Sequence, residues 1–162
     1  MSRFALQKFP MTAPGLLRLE EELRFLRSQE RPAIIRAIAE ARSHGDLSEN
    51  AEYHAARERQ SFVEGRVQEL EEVLSSVEVI DPASLSGNNV KFGAHVTLVD
   101  EETDKESAYQ IVGVYEADIK QAKLSVSSPL AKALIGKKVG DSISVPAPGG
   151  DRTYEILAVK YC

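Results

Sequence analysis

The sequence has little of what several classes of protein require. Its only cysteine is Cys162, the last of 162 residues, which excludes an internal disulfide framework and a cysteine metal site and fits a reducing compartment. No run of about 18 apolar residues occurs, and residues 1 to 12 lack a signal-peptide pattern. Positive charge is not in excess, since 20 basic and 25 acidic side chains give a net charge of -5. We therefore expect a cytoplasmic protein that neither enters a membrane nor attracts duplex nucleic acid by an overall basic field.

Apolar residues make up 43% of the chain, enough to bury the core of one ordinary domain or two small ones. In the first part they recur at alternating three- and four-residue steps, which is typical of a coiled-coil seam. Thr12 is a candidate N-cap for a helix over residues 13 to 44, which Pro32 should bend slightly. A second helix is predicted from Asp46 to about Ser76. Matched lengths and a short connection predict an antiparallel helical hairpin.

A turn-rich segment begins at Asp81 and Pro82, and the period of the apolar residues changes after it. We place the domain boundary there, with residues 1–81 as the hairpin and residues 82–162 as a small α+β domain of mostly antiparallel strands. Strands are predicted near residues 95–99, 109–112, 143–145 and 154–159, with one helix over residues 129–135.

The tip of the hairpin is predicted within residues 44 to 53, HGDLSENAEY. Asp46 and Glu49 lie three positions apart, so on a starting helix turn their carboxylates are neighbours. One interpretation is structural: Asp46 as N-cap and Glu49 three residues later form a capping box. The other is functional: two carboxylates on a projection complete the oxygen shell of a divalent cation held elsewhere, a mode that suits magnesium. The spacing leaves both open.

Other polar residues near the tip also have two interpretations. Arg42 and Arg57 flank the acidic cluster, either as solvated helix residues or as contacts to the phosphates of an RNA end. His44 and His54 raise the hypothesis of a zinc site with Asp46, but the spacing matches no zinc motif.

The helix of residues 129–135 either packs on its sheet or supplies an apolar docking patch, and spacing does not separate the two.

Several segments resemble the Gre family of bacterial transcript cleavage factors over nearly the whole chain. They are RPAIIRAIAEAR (31 to 42), HGDLSENAEYHAAR (44 to 57), FVEGRVQELE (62 to 71), EADI (116 to 119), SPLAKALIGKKVGD (128 to 141) and PGGDRTYEI (148 to 156). The resemblance implies an N-terminal antiparallel coiled coil followed by an FKBP-like α+β domain.

It also implies a partner and a role. Members of the family bind bacterial RNA polymerase at the rim of its secondary channel, and their coiled coil reaches the active centre. There Asp46 and Glu49 would help hold a second magnesium ion and orient the attacking water, while the polymerase hydrolyses its backtracked transcript. The chain would then be no free-standing enzyme, would hold no cofactor stably by itself, and is expected to be a monomer.

By the same resemblance, Arg42 and Arg57 would face the 3′ end of the nascent RNA. The polymerase-docking segment would be Ser128, Pro129, Leu130, Ala131 and Leu134.

Two alternatives remain. A protein of the same architecture that occupies the channel without stimulating cleavage would be a regulator or inhibitor, and the intact pair Asp46 and Glu49 argues against it. A peptidyl-prolyl isomerase is suggested by the FKBP-like resemblance. Such an enzyme needs an aromatic-lined pocket, and the chain has no tryptophan and few aromatic residues in 82–162.

Overall fold

The computed structural model describes residues 8–46 and 49–162, and the chain divides into two compact units. Leu16–Ser76 forms the first, a helical hairpin, and residues 8–15 together with Val77–Cys162 form the second, built around a mixed sheet. The α+β fold class is thus confirmed. The units do not divide after Asp81, because the segments on either side of the hairpin pair with each other. No described helix is both long and apolar enough to cross a membrane.

The hairpin has two antiparallel arms. One arm is a continuous helical run of α1 (Ala13–Phe25), a π-helical turn (Leu26–Glu30) and α2 (Arg31–Arg42), and the other is α3 (Ala51–Leu74). The arms bury apolar side chains at the three- and four-residue steps that the sequence predicts. The buried residues are Leu19, Leu23, Ile34, Ile38 and Ala41 on one arm and Ala56, Val63, Val67, Leu70 and Val73 on the other. Because the buried residue nearest the turn is an alanine in both arms, the tip is thin.

Pro32 is accommodated by a local widening of the helix. A proline lacks the backbone N–H, and its ring clashes with the carbonyl four residues earlier. In the turn before it, the Arg31 N–H bonds to the Leu26 carbonyl five residues back, so the helix continues through a single π turn. The predicted continuous helix therefore extends to Arg42, and its irregularity lies just before the proline.

Arginine–glutamate pairs connect the two arms. Arg31 donates to both carboxylate oxygens of Glu64 at 2.7 and 2.9 Å, and Arg66 donates to those of Glu22 at 2.6 and 2.9 Å. These hydrogen bonds lower the pKa of Glu64 and of Glu22. Two further pairs join Arg27 to Glu71 and Arg59 to Glu30. Because exposed pairs contribute only about 0–1 kcal/mol each, they fix the register of the arms more than they stabilise them.

The second unit contains five strands in one sheet: β3 (His95–Asp100), β4 (Glu106–Val112), β5 (Lys123–Ser125), β6 (Ser142–Val145) and β7 (Arg152–Lys160). Their order is β5-β4-β3-β7-β6. Strand β3 is antiparallel to both β4 and β7, β6 is antiparallel to β7, and β5 is parallel to β4. The predicted, mostly antiparallel sheet is therefore confirmed.

Helix α4 (Pro129–Leu134) packs against this sheet. Along β3 the buried and half-buried residues alternate, as expected for a strand with one face on the core. The core consists of Val90, Ala94, Val96, Leu98, Ile111, Leu124, Ala131, Leu134, Ile143 and Ile156.

A two-stranded parallel pair lies outside the main sheet. Strand β1 (Phe9–Thr12) runs beside β2 (Val77–Ile80), in register from one end to the other. The sequence did not predict β1, since a four-residue segment containing a proline carries no strand period. Because of this pairing, residues 9–15 belong with the second unit, in contrast to the predicted domain of residues 1–81.

The carboxylate of Glu116 connects β1 to the loop after β4. Only 4% of Glu116 is exposed, and its oxygens accept hydrogen bonds from the N–H groups of Thr12 at 3.0 Å and Gly113 at 2.7 Å, and from the Thr12 hydroxyl. The Thr12 hydroxyl accepts from the Gly15 N–H at 3.2 Å and so caps α1, as predicted. A Cβ on Gly15 would overlap the Glu116 carboxylate, and one on Gly113 would overlap the Pro10 carbonyl oxygen. The loop can approach β1 this closely only because both positions are glycine.

Asp100 organises the turn between β3 and β4. Its carboxylate accepts hydrogen bonds from the N–H groups of Glu102 at 2.9 Å and Thr103 at 3.2 Å, and from the Arg152 guanidinium at 3.0 Å. These donors, the Glu102 N–H first, lower the pKa of Asp100.

Candidate functional site

The tip begins where α2 ends. Ser43 is the C-cap residue, and the His44 N–H bonds to the Ala41 carbonyl at 3.2 Å. Gly45 follows with φ of +119°, a conformation that favours glycine. Gly45 lies two residues after the C-cap residue Ser43 and carries the chain away from the helix. Residues 47 and 48 lie outside the described part of the chain.

Asn50 organises the tip and was missed by the sequence analysis. It is the N-cap of α3, where its Oδ1 accepts a hydrogen bond from the Tyr53 N–H at 3.0 Å. Its Nδ2 donates to the Ala41 carbonyl at 2.7 Å. One side chain thereby caps the second arm and satisfies a terminal carbonyl of the first. The available signal was the strong N-cap preference of asparagine immediately before the helical segment that starts at Ala51.

This arrangement removes one of the two interpretations of the acidic pair. The predicted capping box, with Asp46 as N-cap and Glu49 at the third helical position, is wrong because α3 starts only at Ala51. Asp46 and Glu49 are both exposed, and both line an open depression of about 440 Å³. The other residues lining it are His44, Asn50, Ala51 and Glu52.

The carboxylate oxygens in this depression suit magnesium better than zinc as metal ligands. Carboxylate oxygens are the hard ligands that magnesium takes, often one or two per protein, with water or a partner completing the shell. Asp46 and Glu49 present carboxylate oxygens of this kind. Among the described residues, no three His, Cys, Asp or Glu side chains are grouped so that they could hold a metal ion. The zinc hypothesis for His44, His54 and Asp46 thus has no structural support, and the His44 Nδ1 lies 3.3 Å from the Glu52 carboxylate.

The two arginines predicted to lie near RNA occupy the arms just behind the tip. The Arg42 guanidinium carbon lies 5.9 Å from the centroid of the Tyr53 ring, a cation–π distance that keeps this side chain close to the turn. Arg57 is exposed on α3. Arg59, two residues after Arg57 on α3, is paired with Glu30 and is therefore less available for an anion.

The predicted docking segment is placed partly inside the protein. Ala131 and Leu134 are fully buried and belong to the core, so they cannot themselves contact a partner. Ser128 is the N-cap of α4, accepting from the Ala131 N–H at 3.2 Å. Of the predicted set, Pro129 is exposed and Ser128 and Leu130 are half-buried. Within the predicted set, only Ser128, Pro129 and Leu130 are accessible to a partner. Ala131 and Leu134 anchor the helix in the core.

A shallow depression of about 330 Å³ lies along β3 and β4 in the second unit. One aromatic residue, Tyr109, is among those that line it. The proline-binding pocket that the isomerase alternative requires is lined by several aromatic rings, so this depression does not support that alternative.

Comparisons with known proteins match both units to one family. The family model "Transcription elongation factor, N-terminal" matches residues 9–79, and "Transcription elongation factor, GreA/GreB, C-term" matches residues 85–161. Transcription elongation factor GreA of Acidiphilium cryptum is 76% identical over 96% of this chain and 99% of its own, and that of Rhodospirillum rubrum is 62% identical over the same shares. A solved structure, GreA factor homolog 1 (Gfh1) of Thermus thermophilus, is 27% identical over 94% of this chain and 99% of its own, with a TM-score of 0.44.

Proposed function

The chain belongs to the GreA/GreB family of transcription elongation factors, and from this premise we propose that it stimulates bacterial RNA polymerase to cleave backtracked nascent RNA. The observation that carries the proposal is the placement of Asp46 and Glu49. They are exposed at the end of the hairpin, and Asn50 takes the N-cap role that would otherwise explain an acidic residue there. Two exposed carboxylates at the end of a projecting hairpin are suited to act on a partner.

The shape of the hairpin supports entry into a channel. The 24 residues of α3 extend over about 36 Å at 1.5 Å per residue. The alanines buried near the tip, Ala41 and Ala56, keep the distal end narrow. We infer that the hairpin enters the secondary channel and brings its tip to the active centre. Pro129 and its half-buried neighbours Ser128 and Leu130 would dock at the channel rim.

At the active centre, Asp46 and Glu49 would share with the polymerase the binding of a second magnesium ion. A magnesium ion in such a site stabilises the negative charge that develops on phosphate oxygens during hydrolysis. The same carboxylates accept hydrogen bonds from water and so orient it toward the scissile phosphate. Arg42 and Arg57 would contact phosphates near the RNA 3′ end, where guanidinium groups bind well.

In this proposal the chain is an accessory factor and not itself a nuclease. It contributes two carboxylates, while the substrate site and the remaining metal ligands belong to the polymerase. It would act as a monomer in the cytoplasm, where the elongation complex is found.

The test is transcript cleavage in halted, backtracked elongation complexes with magnesium. The wild-type protein should accelerate cleavage, whereas Asp46→Asn and Glu49→Gln should bind polymerase normally and lose about 10- to 100-fold of the stimulation, the range seen when groups that support a metal site are removed. Glu40→Gln is the matched control, because Glu40 is an exposed carboxylate on α2 close to the tip. If the wild-type protein binds polymerase without stimulating cleavage, it is instead a regulator that occupies the channel.

A further inference from the structure

The outer side of α3 carries two residues that the hairpin does not explain. Phe62 is 81% exposed, more than any other large apolar residue described. Gly65 lies three positions later and therefore on the same side of the helix. Glycine inside a helix is unfavourable relative to alanine. A Cβ at Gly65 would meet no atom within 4 Å, so close packing within this chain does not require glycine there.

Both residues belong to one stripe along α3. With Glu58, Ser61, Arg66 and Glu69 they line an open depression of about 750 Å³. The stripe lies beside the buried seam, which uses Val63 and Val67. An exposed aromatic ring next to bare backbone is the pattern of a contact surface: the ring supplies apolar area, and the missing side chain lets a partner approach the helix closely.

The charges around this stripe indicate what kind of partner fits. Arg66 is already paired with Glu22 and Glu69. Among the described residues, Glu58 has no ion pair and is exposed. The rim is therefore acidic overall, which disfavours RNA phosphates and favours a protein surface that has a basic side chain beside an apolar one.

We propose that Phe62 and Gly65 form a docking patch on α3 for bacterial RNA polymerase. A large apolar side chain of the polymerase packs against the Phe62 ring and over the backbone at Gly65, and a basic side chain next to it faces Glu58. This inference rests on the proposed function, in which the hairpin lies inside the polymerase. It adds a contact along the arm, separate from the tip carboxylates.

The test measures binding of the full-length protein to core RNA polymerase by fluorescence anisotropy. Cys162 is the only cysteine and is exposed, so a dye attached there modifies no residue of the patch. Phe62→Ala should raise the dissociation constant about thirtyfold, as truncation of an aromatic hot spot does. Gly65→Ala should raise it at least about fivefold while also raising the melting temperature, because alanine favours the helix. A loss of binding in a stabilised protein has no purely structural explanation.

Ile35→Ala is the matched control, since Ile35 is an apolar residue on α2 that is 54% exposed and lies outside the stripe. It should bind like the wild type. Equal affinities for the wild type, Phe62→Ala and Gly65→Ala would overturn the docking patch. It would also be overturned if Phe62→Ala abolished self-association in sedimentation experiments with unchanged polymerase affinity, because the partner would then be a second copy.

The cleavage assay separates this proposal from the proposed function. At saturating concentration, Phe62→Ala should restore the wild-type cleavage rate, whereas Asp46→Asn should not. A wild-type protein that binds through the patch without stimulating cleavage would refute the cleavage role and leave the docking patch standing. A wild-type protein that does not bind polymerase would refute both.

Discussion

Replacing Glu116 by alanine should destabilise the second unit by about 2–5 kcal/mol. The buried carboxylate accepts from two backbone N–H groups, those of Thr12 and Gly113. A buried N–H left without an acceptor costs about 1–3 kcal/mol, so the two together account for about 2–6 kcal/mol. Release of a buried carboxylate from its desolvation offsets part of this loss. The Thr12 hydroxyl can rotate to another acceptor and is not counted.

Urea unfolding followed by tyrosine fluorescence measures this loss, because four of the five tyrosines lie in residues 77–162. Glu106→Ala, at an exposed position on β4, is the control and should change stability by less than about 0.5 kcal/mol. A Glu116→Ala protein as stable as this control would refute the reasoning.

A double-mutant cycle sharpens the test. Gly15→Ala alone should be strongly destabilising, because the new Cβ would overlap the Glu116 side chain. In the Glu116→Ala background that overlap disappears, so most of the cost of Gly15→Ala should disappear with it. We expect a coupling free energy of about 1–3 kcal/mol between the two positions. Strictly additive effects would mean that the glycine is required for another reason.

Two further predictions concern the tip and the dependence on pH. Asn50→Ala should lower the stability of the hairpin by about 1–2 kcal/mol through loss of the cap. Asn50→Ser should keep the cap, because serine is also a favoured N-cap residue, and lose only the bond to Ala41. Thermal unfolding followed by circular dichroism measures the order, and an Asn50→Ser protein less stable than Asn50→Ala would contradict it. The pKa values of Glu22, Glu64 and Asp100 are lowered in the folded protein, so their stabilising contribution is complete above the ordinary carboxyl pKa of about 4 and is lost as pH falls through the folded values. Urea unfolding between pH 7 and pH 2 should show this loss, and Asp100→Asn should reduce it; an unchanged pH profile would contradict the assignment for Asp100.

The sequence predicted those parts of the fold that depend on local period. The coiled-coil seam through Leu19, Leu23, Val63 and Val67 follows from three- and four-residue spacing, and all four residues are buried. The predicted start of α3 was wrong, and residue spacing alone could not have shown this. Asp46 with Glu49 matches a capping box, yet Asn50 is the N-cap, and its Nδ2 makes a second hydrogen bond to the opposite arm. That bond spans nine positions and has no local sequence signal.

In the second unit, the features that the sequence did not predict depend on contacts between residues far apart in the chain. EADI, which begins at Glu116, contributed to the family resemblance, but nothing in the segment indicates a hydrogen bond to Thr12, 104 positions earlier. The docking segment shows the same limit. Ala131 and Leu134 belong to a motif with a functional association, and both are core residues. Burial depends on how α4 lies on the sheet, which the six residues of the helix do not encode by themselves.

Because Asn50, and not Asp46, is the N-cap of α3, variants at the acidic positions of the tip can be interpreted separately from the cap. If Asp46 were the N-cap of α3, its replacement would weaken the helix, and a loss of transcript cleavage would be ambiguous between chemistry and structure. Asn50 holds both the cap and the link to Ala41. Asp46→Asn and Glu49→Gln therefore remove negative charge at the tip without removing the N-cap of the second arm. A loss of cleavage in these variants, with polymerase affinity and melting temperature unchanged, would report on the carboxylates themselves.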